Sequence, residues 1–192
     1  MIAIEYPDTF VRHHNGLEKL SAVVKRQKLV NPEGIILRTW QQTIYDELQG
    51  PIDSREIKWI YDSSGDTGKS FFAKYYWIKH KNECFFSTGG KHDRILHAYN
   101  LERVVIFDFS RDYRSTEDGL LRDRVPYNVL EQLKNGAIGA GGMYGAGAKL
   151  CDPPHLIVFA NFLPTVEKMS LGRWNIRELY KGPGDVEEFF FR

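Results

Sequence analysis

Cysteine is scarce in this sequence, because Cys84 and Cys151 are the only two among 192 residues. They lie far apart, and each sits beside apolar residues. A chain of this length can bury a core large enough to fold without disulfides or a structural metal. In a reducing compartment, two isolated cysteines are typical of buried free thiols, and we predict no disulfide.

Long hydrophobic runs are also missing. No segment approaches the ~20 consecutive apolar residues that span a membrane, and residues 1–20 lack the apolar core of a signal peptide. We therefore expect a soluble, intracellular protein that makes no contact with a membrane.

Neither sign of charge is in excess. The chain has 26 Lys and Arg against 25 Asp and Glu, which gives a formal net charge of +1. It therefore lacks the broad basic surface typical of many duplex-binding domains. This balance argues against a protein that wraps duplex DNA, but it is compatible with a ring whose pore alone is basic.

Residues 59–70, with the sequence WIYDSSGDTGKS, have the order of a phosphate-binding P-loop. An apolar run is followed by a turn of small residues and then by a helical pattern. Backbone N–H groups of such a loop close around phosphates, the lysine reaches the outer phosphates, and the following serine can hold Mg²⁺. The helix N-terminus adds partial positive charge. The predicted nucleotide-binding residues are Gly65, Asp66, Thr67, Gly68, Lys69, Ser70 and Phe71. The strict pattern G-x-x-x-x-G-K-[ST] fails at Ser63, which stands where the first glycine would be.

From residue 55 onward, apolar runs alternate with helical patterns. Strands are predicted at 57–61, 84–87, 103–108 and 156–160, and helices run to about 79, over 93–100 and over 126–135. Strands that are apolar on both faces and separated by helices indicate a parallel sheet covered by helices. The predicted fold class is α/β, of the P-loop NTPase type, over residues 51–192.

Residues 1–50 have helical patterns. Asn15 and Glu18 resemble a capping box, and a second helix is predicted before Gly50-Pro51 from the helical spacing of Leu37, Trp40, Ile44 and Leu48. Two such helices are too small to be stable alone, so they must pack on the rest of the chain or on a neighbouring subunit. We predict a helical linker and oligomerisation segment at 1–50.

Polar groups stand at three places where predicted parallel strands end, at Asp62/Ser63, Asp108 and Asn161. Taken alone, each is more typical of a turn. Behind a P-loop, however, the carboxyl ends of parallel strands form the ligand crevice. Asp108 then suits the carboxylate that holds the water shell of Mg²⁺, and Asn161 suits a group that senses the γ-phosphate. Between these strands, residues 136–147 are rich in Gly and Ala, which favours a functional or mobile loop.

The motif series resembles the superfamily 3 helicase domain in the replication-associated (Rep) proteins of small circular single-stranded DNA viruses. The resemblance spans roughly residues 5–180. The matching segments are Leu37-Arg38-x-Trp40-Gln41-Gln42, the P-loop, Val105-Ile106-Phe107-Asp108-Phe109-Ser110-Arg111, 127–136, 155–164 and Met169-Ser170-x-x-Arg173-Trp174-x-Ile176.

The resemblance implies a modified AAA+ ATPase that uses ATP and Mg²⁺. It implies a homo-oligomeric ring, expected to be a hexamer, that moves along single-stranded DNA in the host cell nucleus. By motif, Lys69 and Ser70 belong to Walker A, Asp108 to Walker B and Asn161 to the sensor. Arg173 resembles the arginine finger that reaches the nucleotide of the next subunit. The implied catalytic residues are Lys69, Asp108, Asn161 and Arg173, and the implied metal ligands are Ser70 and Asp108.

The sequence departs from the family pattern in several places. Phe109 stands where a second acid often follows Walker B, and the candidates for the base are Asp62, Asp112 and Glu131. The hairpin lacks the usual lysine before its tyrosine, so the predicted DNA contacts are Lys134, Tyr144 and Lys149. Gly172 stands where an acid often precedes the finger. No His-hydrophobic-His nuclease motif is present, and we expect the helicase part of a longer Rep protein without its nuclease.

The leading hypothesis is therefore an ATP-hydrolysing ring helicase of viral replication. One alternative is a nucleotide-gated oligomerisation and DNA-binding module with little hydrolysis, motivated by the missing acid and the missing hairpin lysine. The other is a monomeric P-loop phosphotransferase, which needs no ring.

Overall fold

A computed structural model of the protein describes residues 34–117, 119–139, 148–181 and 187–191. Single turns of 3₁₀ helix lie at Arg111–Tyr113, Val166–Lys168 and Leu171–Arg173. The helices and strands are, in chain order, α1 (Thr39–Gln49), β1 (Ile57–Tyr61), α2 (Lys69–Lys79), β2 (Cys84–Ser87), α3 (His92–Ala98), β3 (Val104–Asp108), β4 (Arg114–Glu117), β5 (Leu120–Asp123), α4 (Tyr127–Asn135), β6 (Ala137–Ile138), β7 (Lys149–Leu150), β8 (His155–Ala160), β9 (Trp174–Lys181) and β10 (Glu187–Phe191).

The main sheet has six strands in the order β10-β9-β1-β8-β3-β2. The five strands from β9 to β2 are parallel, and β10 pairs antiparallel with β9. This arrangement confirms the predicted α/β class. The register places Tyr61 opposite Ala160 and Asp108 opposite Phe159, so β1, β8 and β3 end at the same edge of the sheet.

Helices cover both faces of the sheet, because side chains of each buried strand alternate between two apolar clusters. In β8, Ile157 and Phe159 pack on the side of α1 and α2, whereas Leu156 and Val158 pack on the side of α3 and α4. All six residues of β8 are buried. This two-sided burial explains why the strand reads as a continuous apolar run.

Helix α1 packs directly on the sheet. Its Trp40, Ile44 and Leu48 recur at intervals of four residues and are at most 1% exposed, and the helix ends at Gly50. The compact unit that contains the sheet begins at Ile36 and so includes α1. The division into an oligomerisation segment at 1–50 and an ATPase domain at 51–192 stays a prediction, and the expected capping box at Asn15 and Glu18 lies outside the described residues.

Several elements have no counterpart in the predictions. Two small antiparallel pairs, β4 with β5 and β6 with β7, stand apart from the main sheet, and β9 and β10 form one of its edges. Both thiols are free; Cys84 is buried, as predicted, whereas Cys151 is partly exposed. No helix in the described part of the chain combines the length and apolar character that a membrane span requires.

Candidate functional site

The loop between β1 and α2, which contains the P-loop residues, is a tight turn. Gly65 and Gly68 have φ values of +84° and +92°, in the left-handed region that favours glycine. A side chain at either glycine would also meet a neighbour, because an added Cβ would lie 2.9 Å from Arg111 Nη2 at Gly65 and 3.0 Å from Gln41 Nε2 at Gly68, and these side-chain ends would have to move. Long side chains from other parts of the unit therefore lie against the loop at both glycines.

Asp62 organises the interior of this loop. Its side chain is 0% exposed, and each carboxylate oxygen accepts two hydrogen bonds. Oδ1 accepts from the Gly65 N–H and from Asn161 Nδ2, the latter at 3.1 Å. Oδ2 accepts from the Thr67 hydroxyl and from the Lys69 ammonium, with which Asp62 forms a buried ion pair.

The charge state of Asp62 is set by these contacts. Desolvation by burial acts to raise its pKa, but hydrogen bonds from Lys69 and Thr67, the Lys69 charge and the Gly65 N–H together hold the pKa below its usual value. Asp62 is therefore a carboxylate at neutral pH. The ammonium that a P-loop offers to phosphate faces an internal anion in this structure.

The predicted sensor lies beside the loop. Asn161 Nδ2 is 3.1 Å from both the main-chain oxygen and Oδ1 of Asp62. Because β8 pairs with β1, the residue after β8 reaches the residue after β1. The structure thus brings together Lys69 and Asn161 through one shared partner, a link that no motif contains.

The predicted magnesium ligands stand at two places near this edge. Asp108 is half-buried at the end of β3, separated from β1 by β8. Ser70 is exposed in the first turn of α2, directly after Lys69. A hydroxyl at the helix N-terminus and a carboxylate at a strand end are the oxygen ligands that Mg²⁺ prefers, so these residue types fit the ion. Phe71 is 47% exposed next to Ser70, and its ring stacks on Tyr75 at a centroid distance of 6.5 Å.

The residue after Asp108 belongs to the core. Phe109 is 2% exposed and its ring centroid lies 5.3 Å from that of Phe107 and 4.7 Å from that of Tyr113. An acid at this position would be buried among aromatic rings, which explains the departure from the family pattern. Of the three candidate bases, Asp62 is bound to Lys69, Asp112 is exposed, and Glu131 lies 3.9 Å from Arg173 Nη2.

Arg173, the predicted finger, is buried within its own chain. It is 8% exposed, and its Nη2 donates a hydrogen bond to Asn135 Oδ1 at 2.7 Å. Its Nη1 is buried and has no hydrogen-bond partner. To reach a nucleotide on a neighbouring subunit, the guanidinium would have to leave Asn135.

The two predicted lysine contacts with DNA have partners inside the protein. Lys134 is 3% exposed and donates to the main-chain oxygens of Asp53 and Pro154 at 2.6 and 2.7 Å. This position favours a structural role for Lys134 over the predicted contact with DNA. Lys149 is partly exposed, and its ammonium donates to three main-chain oxygens at the end of α3, those of Leu96, His97 and Tyr99. Tyr144 lies outside the described residues.

Two further residues contact the loop, and sequence reasoning assigns neither a role. Gln41 Nε2 donates to the Gly68 carbonyl at 3.2 Å, and Arg111 Nη2 donates to the Ser64 carbonyl at 3.3 Å. Both residues belong to segments that carry the family resemblance, and that resemblance is the signal by which the sequence could have identified them. Their contact with the P-loop depends on packing across the fold, which spacing along the chain does not show.

A parallel sheet, a glycine-containing loop between β1 and α2, and a lysine and serine that open the helix define the class of this protein. It has an α/β fold consistent with a P-loop NTPase.

Comparison with known proteins narrows this class. The chain is 32% identical over 157 residues to the master replication protein of Faba bean necrotic yellows virus and 34% identical over 158 residues to that of Banana bunchy top virus. Each match covers 82% of this chain and 51% of the relative, so the chain spans about half of the length of these relatives. It is also 34% identical over 144 residues to Para-Rep C7 of the Faba bean necrotic yellows C7 alphasatellite, covering 73% of this chain and 47% of that protein. No family model matches the chain. Its homologues are viral master replication proteins and Rep-type proteins of alphasatellites.

Proposed function

We propose that this chain is an ATP-dependent ring helicase of viral DNA replication, which acts in the host cell nucleus. The observation that carries the proposal is the shared contact of Lys69 and Asn161 with Asp62 at the carboxyl edge of the sheet. A P-loop lysine at the start of α2 and an amide that follows the neighbouring strand β8 suit ATP hydrolysis, one to bind the phosphates and one to sense the outermost. The replication role is supported by the names of the viral relatives.

The proposed nucleotide site uses the loop between β1 and α2 and the polar residues that follow β3 and β8. The loop from Gly65 to Gly68 supplies backbone N–H groups, and Lys69 supplies positive charge to the outer phosphates. Ser70 and Asp108 would hold Mg²⁺, which neutralises charge that develops on the phosphate oxygens. Asn161 would orient the attacking water or the γ-phosphate. These roles stay proposals for this chain.

The proposed reaction is in-line hydrolysis of ATP. A water oxygen forms a bond to the γ-phosphorus while the bond to the β-γ bridging oxygen breaks, which yields ADP and phosphate. Lys69 offsets the negative charge that builds up on the transferring group. In the proposed ring, Arg173 of the neighbouring subunit adds a second positive charge, an effect on the order of 10³–10⁵ in rate in other NTPases.

Substitution of Lys69 tests the site. We expect Lys69→Ala to abolish ATP turnover, whereas Lys74→Ala, an exposed lysine on the same helix, should retain it. Steady-state release of phosphate with and without single-stranded DNA measures both. Full activity in Lys69→Ala would end the proposal.

The proposed DNA contact lies at the glycine-rich segment that β6 and β7 flank. Tyr144 in that segment is proposed to stack on a nucleobase. Lys149, the first residue of β7, is proposed to approach a phosphate. If such phosphate contacts dominate binding, affinity for single-stranded DNA falls steeply as salt rises. An affinity that does not change with salt would contradict contacts between Lys149 and phosphate. Stacking by Tyr144 would then be the contact that remains, and Tyr144→Ala tests it directly.

Phe109 favours a second candidate function, a nucleotide-gated oligomerisation and DNA-binding module with little hydrolysis. Its ring fills the core where a second acid would stand, so no carboxylate next to Asp108 is available to polarise water. Turnover that stays at background with single-stranded DNA present, while nucleotide still changes the oligomeric state in sedimentation, would identify this function. Turnover that DNA stimulates would identify the helicase.

A further inference from the structure

The Asp62 carboxylate accepts hydrogen bonds from donors that a bound phosphate would also need. A P-loop binds phosphate through backbone N–H groups and its lysine. Here the Gly65 N–H and the Lys69 ammonium both donate to Asp62, and the Thr67 hydroxyl does the same. An acid whose side chain is 0% exposed thus lies inside an anion-binding loop.

The Asp62 carboxylate and a bound phosphate would compete most directly for Lys69. Its side chain is 8% exposed and points into the loop, where Asp62 Oδ2 is its ion-pair partner. Asn161 is held differently, because it also donates to the main-chain oxygen of Asp62 at 3.1 Å. Loss of Lys69 from the carboxylate would therefore leave Asn161 in place through the backbone contact.

We propose that Asp62 is a positioning residue that holds Lys69 in the nucleotide-free loop, and that an outer phosphate of the nucleotide replaces its carboxylate at the Lys69 ammonium. The proposal rests on the proposed nucleotide site. Binding is then an exchange of one anion for another at the same cation, and Asp62 lowers affinity while it keeps the loop folded for its ligand.

Asp62→Asn tests this exchange. The amide keeps the size of the carboxylate and one oxygen for the Gly65 N–H and Asn161, but it carries no charge to hold Lys69. We expect the Kd for a fluorescent ADP analogue with Mg²⁺ to fall by about tenfold, the effect of losing one charge-assisted hydrogen bond that competes with the ligand. The measurement is an equilibrium titration and does not depend on turnover.

Asp152→Asn is the matched control. Asp152 is an exposed acid before β8, outside the loop between β1 and α2. This variant makes the same change of residue type without releasing Lys69, so its Kd should change by less than about twofold, as expected for a screened surface charge. Equal tightening in both variants, or binding by Asp62→Asn that is no tighter than wild type, would overturn the proposal.

A complex of the wild-type protein with ADP and Mg²⁺ decides the matter if Asp62→Asn does not fold. The proposal expects Lys69 Nζ within hydrogen-bonding distance of a phosphate oxygen and beyond that distance from Asp62 Oδ2. A lysine that still donates to Asp62 and not to phosphate would overturn it. Failure of the nucleotide site itself is distinguishable, because the wild-type protein and Lys69→Ala would then bind the analogue equally or not at all, and the exchange would fall with it.

Discussion

Gln41 Nε2 donates a hydrogen bond to the carbonyl oxygen of Gly68 at 3.2 Å, although 27 residues separate them along the chain. The same oxygen accepts the Phe72 N–H at 3.0 Å, the first hydrogen bond of α2. Gln41 Oε1 accepts the Arg38 N–H at 3.0 Å. Since Gln41 is only 2% exposed, its amide is committed to these two contacts. Helix α1 therefore supports the end of the P-loop.

We expect Gln41→Leu to lower the free energy of unfolding by about 1–3 kcal/mol, because it removes two hydrogen bonds, one from the Arg38 N–H and one to the Gly68 carbonyl. Nucleotide affinity should fall with it, since the support of the loop is lost. Urea unfolding and titration with a fluorescent nucleotide measure the two effects. Gln42→Leu is the control, because its amide is exposed and pairs with Asp46 at 2.7 Å. Equal losses in both variants would contradict a special role for Gln41.

Arg111 supports the opposite side of the loop. Its guanidinium donates to the Ser64 carbonyl at 3.3 Å and lies where a side chain at Gly65 would be. We expect Arg111→Ala to raise the nucleotide Kd a few-fold and to change the free energy of unfolding by less than about 0.5 kcal/mol, as is usual for an exposed side chain. Arg94→Ala, an exposed arginine on α3, should change neither. An unchanged Kd in Arg111→Ala would remove Arg111 from the site.

Arg173 can be tested across subunits. Lys69→Ala and Arg173→Ala each disable one side of the proposed shared site, so mixed rings should regain turnover at interfaces that combine an intact lysine with an intact arginine. Asn135→Ala is the companion variant, since it removes the same-chain acceptor at 2.7 Å without removing the guanidinium, and it should retain turnover. Absence of recovery at every mixing ratio would count against a role for Arg173 in trans.

Lys134 predicts a dependence of stability on alkaline pH. Burial lowers its pKa to about 8, with further lowering by Lys58 and Arg173 and opposing contributions from Asp53 and Glu56. The unfolded lysine titrates near 10.4, so between these values the unfolded chain binds more protons, and stability rises with pH. Wild type should therefore gain up to about 1 kcal/mol per pH unit relative to Lys134→Met between pH 8 and 10. If the free energies of unfolding of wild type and Lys134→Met differ by a constant amount over this range, the Lys134 ammonium titrates alike in the folded and unfolded states.

The elements that sequence predicts best are those whose signal is local. Trp40, Ile44 and Leu48 mark α1 by spacing alone, and the apolar runs that end at Asp108 and Asn161 mark β3 and β8 because both faces of each strand are buried. Local patterns also place the loop residues from Gly65 to Lys69. These features need no knowledge of what lies across the fold.

The elements that sequence misses depend on distant partners. Strand β9 contains Arg177, which is 4% exposed because Glu47 of α1 binds its guanidinium through two hydrogen bonds of 2.8 and 2.9 Å. Without that partner the segment looks too polar for an interior strand. Sequence reasoning predicts that Lys134 contacts DNA, because the carbonyls of Asp53 and Pro154 that hold it are distant along the chain. Asp62 and Lys69 are close in sequence, but only the folded loop brings their two charges together.

The strand that leads into the P-loop pairs with β8 on one side and β9 on the other, so Ile57 has both Leu156 and Trp174 as neighbours. During synthesis on the ribosome, the loop leaves the exit tunnel long before either of these strands. Parallel pairing over such distances forms late, because the intervening chain must first be ordered. The nascent chain therefore carries the P-loop residues without the sheet that aligns them until both of these strands have been made.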